Sequence, residues 1–264
     1  KVIAPIMEAQ FIETAILNIL NHQSLIATKA ARICYAAEGD GIMEFGLRRA
    51  QGPDAGIYGA RAAVIGGCAG TSNVLTGQMF DVPVMGTHAH SWIMSFDDEY
   101  TAFYTYAKLY PMACTLLVDT YDTLNSGVPN AIKVFKQMKK EGIELKNYGI
   151  RLDSGDLAYL SKKARKMLDD AGFKDATITA SNDLDEFLIA SLKMQGAEIT
   201  NWGVGTNLIT SKDCPSFGGV YKLAAIMEDG ENFTPKIKLS DNSEKITNPG
   251  NKKIYRIYEK ENNK

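Results

Sequence analysis

The chain has 264 residues, of which 45% are apolar and 23% charged, and its formal net charge at pH 7 is −2. This composition is ordinary for a globular protein that holds one large core, a barrel or two smaller domains. The small net charge supplies no positive field for nucleic acid or an anionic membrane. The sequence also lacks an apolar run of about 18 residues, the length that a transmembrane helix needs. We therefore expect neither a nucleic-acid partner nor a membrane partner.

The chain begins at Lys1 rather than methionine, without a signal-peptide pattern, and we expect it to be a piece of a longer protein. Its cysteines are widely spaced and form no CxxC pair. Cys34, Cys68 and Cys114 lie among apolar neighbours, and Cys214 does not. This pattern favours buried thiols in a reducing cytoplasm over a zinc site or disulfides, and we expect a cytoplasmic protein.

The first predicted element is helical. Apolar residues recur at three- and four-residue spacing across residues 8–36, and a polar stretch at 38–41 closes the pattern. We expect residues 1–43 to form a helical lead-in.

A unit then repeats along the chain, in which a short apolar run ends in small or polar residues and a helical pattern follows. Strands that alternate with helices predict a parallel sheet. Because there are seven runs and no dinucleotide-binding fingerprint at the first turn, an α/β barrel over residues 44–227 is favoured over a doubly wound sheet. The runs span 63–73, 82–90, 113–122, 148–156, 176–186, 198–206 and 218–227, and the helical patterns span 100–109, 129–141, 157–171 and 184–195.

The last stretch, 228–264, is charged and rich in turn signals, namely Asp229-Gly230, Asp241-Asn242 and Pro249-Gly250. Such dipeptides mark turns rather than a further strand and helix unit. We expect hairpins here, as part of a smaller appended domain.

Functional residues of an α/β barrel lie at the carboxyl ends of its strands. Six successive runs end in polar or small residues, which is more than turn chemistry alone explains. In chain order these ends carry Thr71, Ser72 and Asn73; Thr87, His88 and His90; Asp119 and Asp122; Arg151, Asp153, Ser154 and Asp156; Ser181, Asn182 and Asp183; and Gly203, Gly205 and Thr206.

Two glycine motifs predict a phosphate ligand. GVGT at 203–206 would let backbone amides approach an anion, with Thr206 adding a hydroxyl donor. SFGGVYK at 216–222 supplies a second pair, Gly218 and Gly219, near Lys222. Either motif alone is explained equally well by a turn, but barrels often bind phosphate with the loops of their last two units.

The sequence alone leaves two possible roles for each of two charged motifs. Arg48 and Arg49, in EFGLRRAQGPD, are either an exposed pair at a helix end or a clamp for carboxylate and phosphate oxygens. In RLDSGDL, Asp153 and Asp156 are either turn and cap residues of the following helix, where Ser154 is another candidate cap, or ligands of sugar hydroxyls or Mg²⁺.

The chain has only three histidines, His22, His88 and His90. A metal pair at His88 and His90 is disfavoured, because no third histidine or cysteine ligand accompanies them. A single catalytic imidazole, acting as a general base or as a nucleophile that accepts a phosphoryl group, fits better. His22 lies within the helical region, and we expect a structural role for it.

Taken together these motifs resemble the nicotinate phosphoribosyltransferase family. The resemblance covers most of the chain, and the motifs follow in the family's order: QFIETAILN, ATKAARI, EFGLRRAQGPD, GTSN, GTHAH, DTYD, RLDSGD, SND, GVGT and GGVYKL. It implies the type II phosphoribosyltransferase architecture, an irregular α/β barrel joined to a smaller domain. It also implies a homodimer, in which an aromatic residue of an amino-terminal segment not found here stacks on the nicotinate ring.

The implied reaction joins nicotinic acid to 5-phosphoribosyl 1-pyrophosphate, giving nicotinate mononucleotide and pyrophosphate. ATP hydrolysis would drive it through a phosphorylated histidine, which the GTxAH motif places at His90, with Mg²⁺ as the metal. The resemblance assigns the phosphoryl group to His90 and nicotinate binding to Thr87, Arg151, Ser72 and Phe45. The chemistry of ribosyl transfer adds Asp119 and Asp153 as catalytic candidates that would contact Mg²⁺ or the ribose, and Asp119 is also a candidate to orient the imidazole of His90. The resemblance assigns donor and phosphate binding to Thr206, Gly203, Gly205, Gly218, Gly219, Arg48, Arg49, Ser181 and Asn182.

The related nicotinamide enzyme has an aspartate in the loop where this chain has Ser72. A neutral side chain suits an acid substrate, because a carboxylate would repel the carboxylate of nicotinate. The alternatives are a nicotinamide or quinolinate phosphoribosyltransferase, a pyridine-nucleotide-binding protein without turnover, and a phosphosugar aldolase barrel. The phosphosugar aldolase hypothesis is disfavoured because Lys222 is the only lysine at a predicted strand end.

Overall fold

The structure is a computed structural model that describes residues 1–228 and 230–258. The chain divides into two compact units, one of Lys1–Asn18 with Gly218–Lys264 and the other of Ile19–Phe217. The division into 1–43, 44–227 and 228–264 that the sequence suggests stays a prediction.

Six parallel strands form the sheet of the second unit, in the spatial order β2-β1-β6-β5-β4-β3. This parallel sheet with intervening helices confirms the α/β class. One strand was not predicted: β1 pairs with β6 over its whole length, but only two of its four residues, Ile42 and Met43, are apolar. The strands are β1 Gly41–Glu44, β2 Gly70–Thr71, β3 Thr115–Leu117, β4 Gly149–Leu152, β5 Thr177–Ala180 and β6 Asn201–Val204.

The predicted helices are present, with ends shifted by one or two residues, and the lead-in pattern is divided between two helices. None of the helices in the described ranges is long and apolar enough to cross a bilayer. The helices are α1 Ile6–Phe11, α2 Glu13–Ala36, α3 Pro53–Ile65, α4 Val74–Phe80, α5 His90–Met94, α6 Glu99–Leu109, α7 Val128–Lys140, α8 Leu157–Asp170, α9 Glu186–Met194 and α10 Thr206–Ile209. Single turns of 3-10 helix occur at Leu47–Arg49 and Ser243–Lys245, and a π-helical turn at Thr123–Gly127.

Side-chain caps start several of these helices. Asp156 Oδ1 accepts a hydrogen bond from the Tyr159 amide at 3.0 Å, which confirms a cap at the start of α8. Asp122 caps the π-helical turn through the amides of Leu124 and Asn125. Each such cap is worth about 1 kcal/mol. Asp122 and Asp156 therefore both act as helix caps, and for Asp156 the cap is one of the two roles that the sequence left open.

The core of the second unit packs β-strands against the inner faces of the helices. Trp202 on β6 and Phe135 on α7 are fully buried. The basic stretch at 136–140 lies on the same helix as Phe135 and Met138, and Lys136, Lys139 and Lys140 occupy its exposed positions. Each fully buried large side chain contributes roughly 1.5–3 kcal/mol. This packing holds the strand ends that carry the polar residues.

The predicted strand at 82–90 lies between the two edge strands of the sheet rather than forming a full strand. Val84 makes a single parallel bridge to Thr71 of β2, and the Leu117 amide of β3 donates to His88 Nε2 at 3.3 Å. No continuous backbone ladder joins β2 to β3 in the ranges that the structure describes. Between these two edge strands the Leu117 amide thus bonds to an imidazole instead of to a backbone carbonyl.

The first unit contains an antiparallel hairpin of β7 Ala225–Met227 and β8 Phe233–Pro235. The prediction that the run 218–227 is a seventh barrel strand is therefore wrong. Residues of this run pair with the nearby strand β8, and an apolar run alone does not distinguish such a hairpin from a barrel strand. Gly250, in the predicted Pro249-Gly250 turn, donates to the Ala224 carbonyl at 2.8 Å. Asp229, in the predicted Asp229-Gly230 turn, lies outside the described residues.

Candidate active site

The carboxyl ends of six parallel strands meet at one edge of the sheet, where parallel α/β proteins bind ligands. Each strand delivers a polar, aromatic or small residue to this edge within the three positions that follow its end. These residues are Phe45 after β1, Ser72 after β2, Asp119 and Thr120 after β3, Asp153 and Ser154 after β4, Ser181 and Asn182 after β5, and Gly205 and Thr206 after β6.

His90 is the first residue of α5, and its side chain is 38% exposed. Its Nδ1 lies 3.0 Å from Thr120 Oγ1. Its Nε2 lies 3.9 Å from Asp119 Oδ1 and 3.7 Å from Asp153 Oδ2. The ring is thus held between a hydroxyl and two carboxylates while remaining open to solvent. Such a ring can be approached by a phosphoryl donor, as a nucleophile must be.

Asp119 is held rigidly under the ring. Its side chain is 2% exposed, and its Oδ2 accepts from the Asp153 amide at 2.8 Å and from Ser154 Oγ at 2.6 Å. Its Oδ1 has no hydrogen-bond partner among the described residues and faces His90. The sequence suggested that Asp119 orients the imidazole, but 3.9 Å is too long for a direct hydrogen bond.

Asp153 is held from the neighbouring strand. Ser181 Oγ donates to Asp153 Oδ1, which leaves Oδ2 on the side of His90. Two carboxylate oxygens therefore face one ring nitrogen. Because an unpaired buried acceptor is costly, Asp119 Oδ1 suits a proton, a hydroxyl or a cation, and the half-buried Asp153 Oδ2 lies close enough to share it.

Arg151 and Thr87, separated by 64 positions in the sequence, are direct partners: Arg151 Nη1 donates to Thr87 Oγ1. Burial lowers the pKa of Arg151, and the negative charges of Asp153 and Asp119 oppose that shift. Arginine stays charged under such conditions. Its buried Nε has no hydrogen-bond partner in the described part of the chain. The pair thus presents a positive charge and an unpaired N–H donor to a ligand.

His88 is buried and makes structural contacts rather than facing the cluster around His90. Its ring packs edge-on against Tyr106, with centroids 4.6 Å apart, and its Nε2 accepts the Leu117 amide. Burial lowers the pKa of His88 to about 4. The ring is therefore neutral at pH 7, and it anchors the segment that carries Thr87 and His90.

We expect His88 to make folding stability depend on pH. With a native pKa of about 4 and an ordinary value near 6.5 in the unfolded chain, the unfolded state binds more protons between these values. Stability is therefore complete above about pH 6.5 and falls as pH drops towards 4, by about 2 kcal/mol at pH 5. Urea unfolding at pH 7 and pH 5 measures this loss. The non-titrating variant His88→Gln should lack it, and an equal loss in both proteins would contradict the assignment.

Phe45 lies over the glycine motif after β6. A methyl group added at Gly203 would come within 2.7 Å of the Phe45 ring, and one at Gly205 within 3.3 Å of the Phe45 carbonyl oxygen. Only glycine at 203 allows this approach without displacing the ring. Phe45 itself is set by the preceding Glu44, a buried carboxylate that accepts from the Gly46 amide and, at 2.6 Å, from Thr71 Oγ1. Burial raises the pKa of Glu44, and these two hydrogen bonds oppose the rise.

For seven of the predicted site residues, the structure shows no hydrogen bond to the cluster around His90 among the described residues. Arg48 and Arg49 are exposed on a 3-10 turn. The positive charge of Arg48 contributes to lowering the pKa of Arg151. Among the described residues no hydrogen bond links the side chains of Ser72, Asn182 or Thr206 to the cluster around His90. Gly218 and Gly219 belong to the first unit. Binding roles for all seven stay predictions.

Sequence reasoning missed two contributors, Thr120 and Glu44. Thr120 stands directly after Asp119 in the motif DTYD, so its place at a strand end was the available signal. Glu44 ends a strand that was not predicted.

Comparison with known proteins decides the family. Residues 41–262 match the model described as the nicotinate phosphoribosyltransferase (NAPRTase) family. The chain belongs to this family. It is 58% identical over 262 residues to the nicotinate phosphoribosyltransferase of Bacillus subtilis, which covers 99% of this chain and 52% of that protein. The chain thus spans about half the length of the curated relatives it matches.

Solved structures agree with the family assignment. Human nicotinic acid phosphoribosyltransferase superposes with a TM-score of 0.70 at 32% identity, covering 76% of this chain and 51% of that one. A nicotinate-nucleotide pyrophosphorylase from Pyrococcus furiosus superposes with a TM-score of 0.64 at 29% identity, covering 75% and 50%. The resemblance inferred from the motifs is confirmed, and with it the type II phosphoribosyltransferase fold.

A metal site in this member of the nicotinate phosphoribosyltransferase family would depend on few protein ligands. The described residues contain no group of three or more histidine, cysteine, aspartate or glutamate side chains placed to hold a metal ion. Asp119 Oδ1 and Asp153 Oδ2 nevertheless face the same space. Mg²⁺ is commonly held by one or two carboxylates together with substrate phosphates, so this pair fits Mg²⁺ supplied with a phosphorylated substrate.

Proposed function

We propose that the protein is a nicotinate phosphoribosyltransferase, which joins nicotinic acid to 5-phosphoribosyl 1-pyrophosphate and releases nicotinate mononucleotide and pyrophosphate. We further propose that ATP hydrolysis is coupled to this reaction through a phosphoryl group on His90. The observation that carries the proposal is the placement of His90 beside Asp119 and Asp153 at the strand ends. Family membership and the names of the relatives support the reaction.

Arg151 and Thr87 are the proposed nicotinate site. A guanidinium matches a carboxylate in geometry and charge. Arg151 is half-buried, where charge interactions are stronger than in water, and it already has one donor fixed by Thr87. An aromatic acid would place its carboxylate against Arg151, and Phe45 offers an apolar ring at the same edge of the sheet.

Ribosyl transfer develops positive charge at C1 of the ribose while pyrophosphate departs. Carboxylates near the ribose favour the developing cation. Asp119 and Asp153 are the proposed groups, each held by hydrogen bonds that keep one oxygen free. When bound, Mg²⁺ would neutralise negative charge on the pyrophosphate.

The proposed coupling step is a phosphoryl transfer to the imidazole of His90. A ring nitrogen forms a bond to the γ-phosphorus of ATP as the bond to the bridging oxygen breaks, and ADP leaves with that electron pair. Later attack of water on phosphorus returns free imidazole and releases phosphate. The exposed position of His90 and its carboxylate neighbours support this assignment. Arg48 and Arg49, exposed after β1, are proposed to contact the phosphates.

We propose that Ser72 contributes to the preference for an acid over an amide. Ser72→Asp should raise the KM for nicotinate about tenfold, since a like charge facing the substrate costs on the order of 1 kcal/mol. Steady-state kinetics in the complete protein measure this, with Ser72→Asn as the neutral control of similar size. A KM equally raised by both variants would argue against a charge effect.

A competition assay tests the proposed reaction. The complete protein is supplied with 5-phosphoribosyl 1-pyrophosphate, ATP and Mg²⁺, together with nicotinate, nicotinamide and quinolinate in equal amounts. We expect nicotinate mononucleotide as the dominant product. Dominance of another nucleotide would identify the corresponding alternative enzyme, and binding without pyrophosphate release would identify a protein without turnover. Light scattering on the same sample tests the proposed homodimer.

A further inference from the structure

Two consecutive residues after β5, Asn182 and Asp183, have a left-handed backbone. Their φ angles are 87° and 44°, and they are the only adjacent pair of non-glycine residues with positive φ in the ranges that the structure describes. Asparagine and aspartate adopt this conformation more readily than other side chains, but it is uncommon even for them, and it persists where surrounding groups hold it. Both residues are exposed, so burial of their own side chains does not supply that hold.

The hold comes from Asn207, on the short helix α10. Its side-chain Nδ2 donates to the Asp183 carbonyl at 2.8 Å and to the Leu184 carbonyl at 3.1 Å. Only the amide nitrogen can donate to two carbonyls, so the orientation of this amide is defined. Asn207 is 5% exposed, and the next two residues of α10, Leu208 and Ile209, are fully buried. The amide is thus fixed in the core, and the segment after β5 is fastened to it.

The segment 181–184 is also fastened at its other end. The Ser181 amide donates to the Leu152 carbonyl at 2.9 Å, and Ser181 Oγ donates to Asp153. The two residues with left-handed backbone lie between these attachments. Their path is therefore determined by the end of β4 on one side and by Asn207 on the other.

Asn207 directly follows Thr206, the last residue of the motif GVGT. The family resemblance predicts that this motif, together with Ser181 and Asn182, binds the phosphoribosyl donor. Gly203 of the motif lies beside Ser181, because a methyl group added at Gly203 would come within 3.5 Å of Ser181 Cβ. Hydroxyl and amide groups can bond both ribose hydroxyls and phosphate oxygens. One buried amide thus sets the spacing of two loops that are predicted to hold the same substrate.

We infer that Asn207 is a positioning residue for the phosphoribosyl donor, because it holds the loop after β5 in its left-handed conformation and joins it to the motif GVGT. This inference rests on the proposed function. Asn207 is buried and touches no substrate in this role. Its loss should weaken binding of the donor, 5-phosphoribosyl 1-pyrophosphate. Nicotinate should bind as before, since its proposed site is Arg151 with Thr87.

The test compares wild type, Asn207→Ala, Asn207→Ser and Asn130→Ala in the complete protein. Alanine removes both hydrogen bonds of Asn207, whereas serine keeps a shorter donor. Asn130, on α7, is the matched control, because its Nδ2 also makes two part-buried hydrogen bonds, to Glu99 at 3.0 Å and to Ser126 at 3.3 Å. These bonds involve neither the loop after β5 nor the motif GVGT.

Steady-state kinetics supply the first measurement. We expect the KM for the donor to rise about tenfold in Asn207→Ala, the effect of roughly one lost hydrogen bond, and by less in Asn207→Ser. It should stay close to wild type in Asn130→Ala. The KM for nicotinate should change by less than about twofold in all the variants, a split that general destabilisation does not produce.

Hydrogen–deuterium exchange supplies the second measurement, and it requires no turnover. Without ligand, the segment 181–185 should exchange faster in Asn207→Ala than in wild type and at the wild-type rate in Asn130→Ala. Adding the donor should slow this exchange in wild type. Asn207→Ser gives the same comparison if the alanine variant does not fold.

The outcomes separate this inference from the proposed function. If wild type forms no nicotinate mononucleotide, the proposed function fails and the inference fails with it. If wild type is active but loss of the Asn207 amide leaves the KM for the donor unchanged, only the role of Asn207 is overturned. The same holds if both KM values rise together, or if exchange of the segment 181–185 is unaffected.

Discussion

Replacing His90 by alanine should remove acid-labile phosphate from the protein and abolish ATP hydrolysis that depends on the other substrates, with a loss of at least about 10³-fold. Neither of the other two histidines of this chain is placed to take over, because His88 is buried against Tyr106 and His22 lies on α2. Slow ribosyl transfer should remain, since Arg151, Asp119 and Asp153 are untouched. The variant thus separates the two half-reactions.

The measurement pairs intact mass after incubation with ATP and Mg²⁺ with the ratio of ADP to nicotinate mononucleotide formed. His22→Gln is the control, because it removes an imidazole of α2 that is not among the groups around His90. If His90→Ala still hydrolyses ATP in step with product, then His90 is not the phosphoryl carrier. A phosphate retained on the variant would lead to the same conclusion.

Replacing Arg151 by alanine should raise the KM for nicotinate about 100-fold, because a charge-assisted hydrogen bond is worth roughly 1.5–3 kcal/mol. The KM for 5-phosphoribosyl 1-pyrophosphate should change much less. The reason is the surroundings of Arg151, whose Nη1 is fixed by Thr87 and whose Nε has no partner in the described residues.

Arg151→Lys is the informative companion, since it keeps the positive charge but loses the planar fork. We expect it to recover part of the lost affinity. Arg61→Ala, which removes an arginine bonded to Gln23 at 3.0 Å, controls for loss of a guanidinium elsewhere. Equal increases in both KM values for Arg151→Ala would contradict the assignment of this residue to nicotinate.

Most of the strands and their polar ends could be predicted, because each depends on residues that are adjacent in the sequence. Apolar runs followed by Asp119, Asp153 or Ser181 identify strand ends, and the structure places these residues together at one edge. The run 218–227 shows the limit of the same reasoning. Its apolar pattern is compatible with a barrel strand or a hairpin, and the hairpin with β8 was formed instead.

His88 and His90 lie in different environments, which their shared motif does not predict. They are two positions apart, yet one ring is buried as an acceptor for the Leu117 amide while the other is 38% exposed among carboxylates. Nothing in GTHAH by itself distinguishes these environments. The family resemblance selected His90, and the packing around Tyr106 explains why His88 has a different role.

The sequence by itself determined the family, the α/β class and the set of residues at the strand ends, because motif order and periodicity are properties of neighbouring residues. Only the tertiary structure decided which of these side chains meet. The contact of His90 with Thr120 joins residues 30 positions apart, and that of Arg151 with Thr87 joins residues 64 apart. Such contacts depend on how strands are ordered and packed in the sheet, and no local pattern encodes a distance across it.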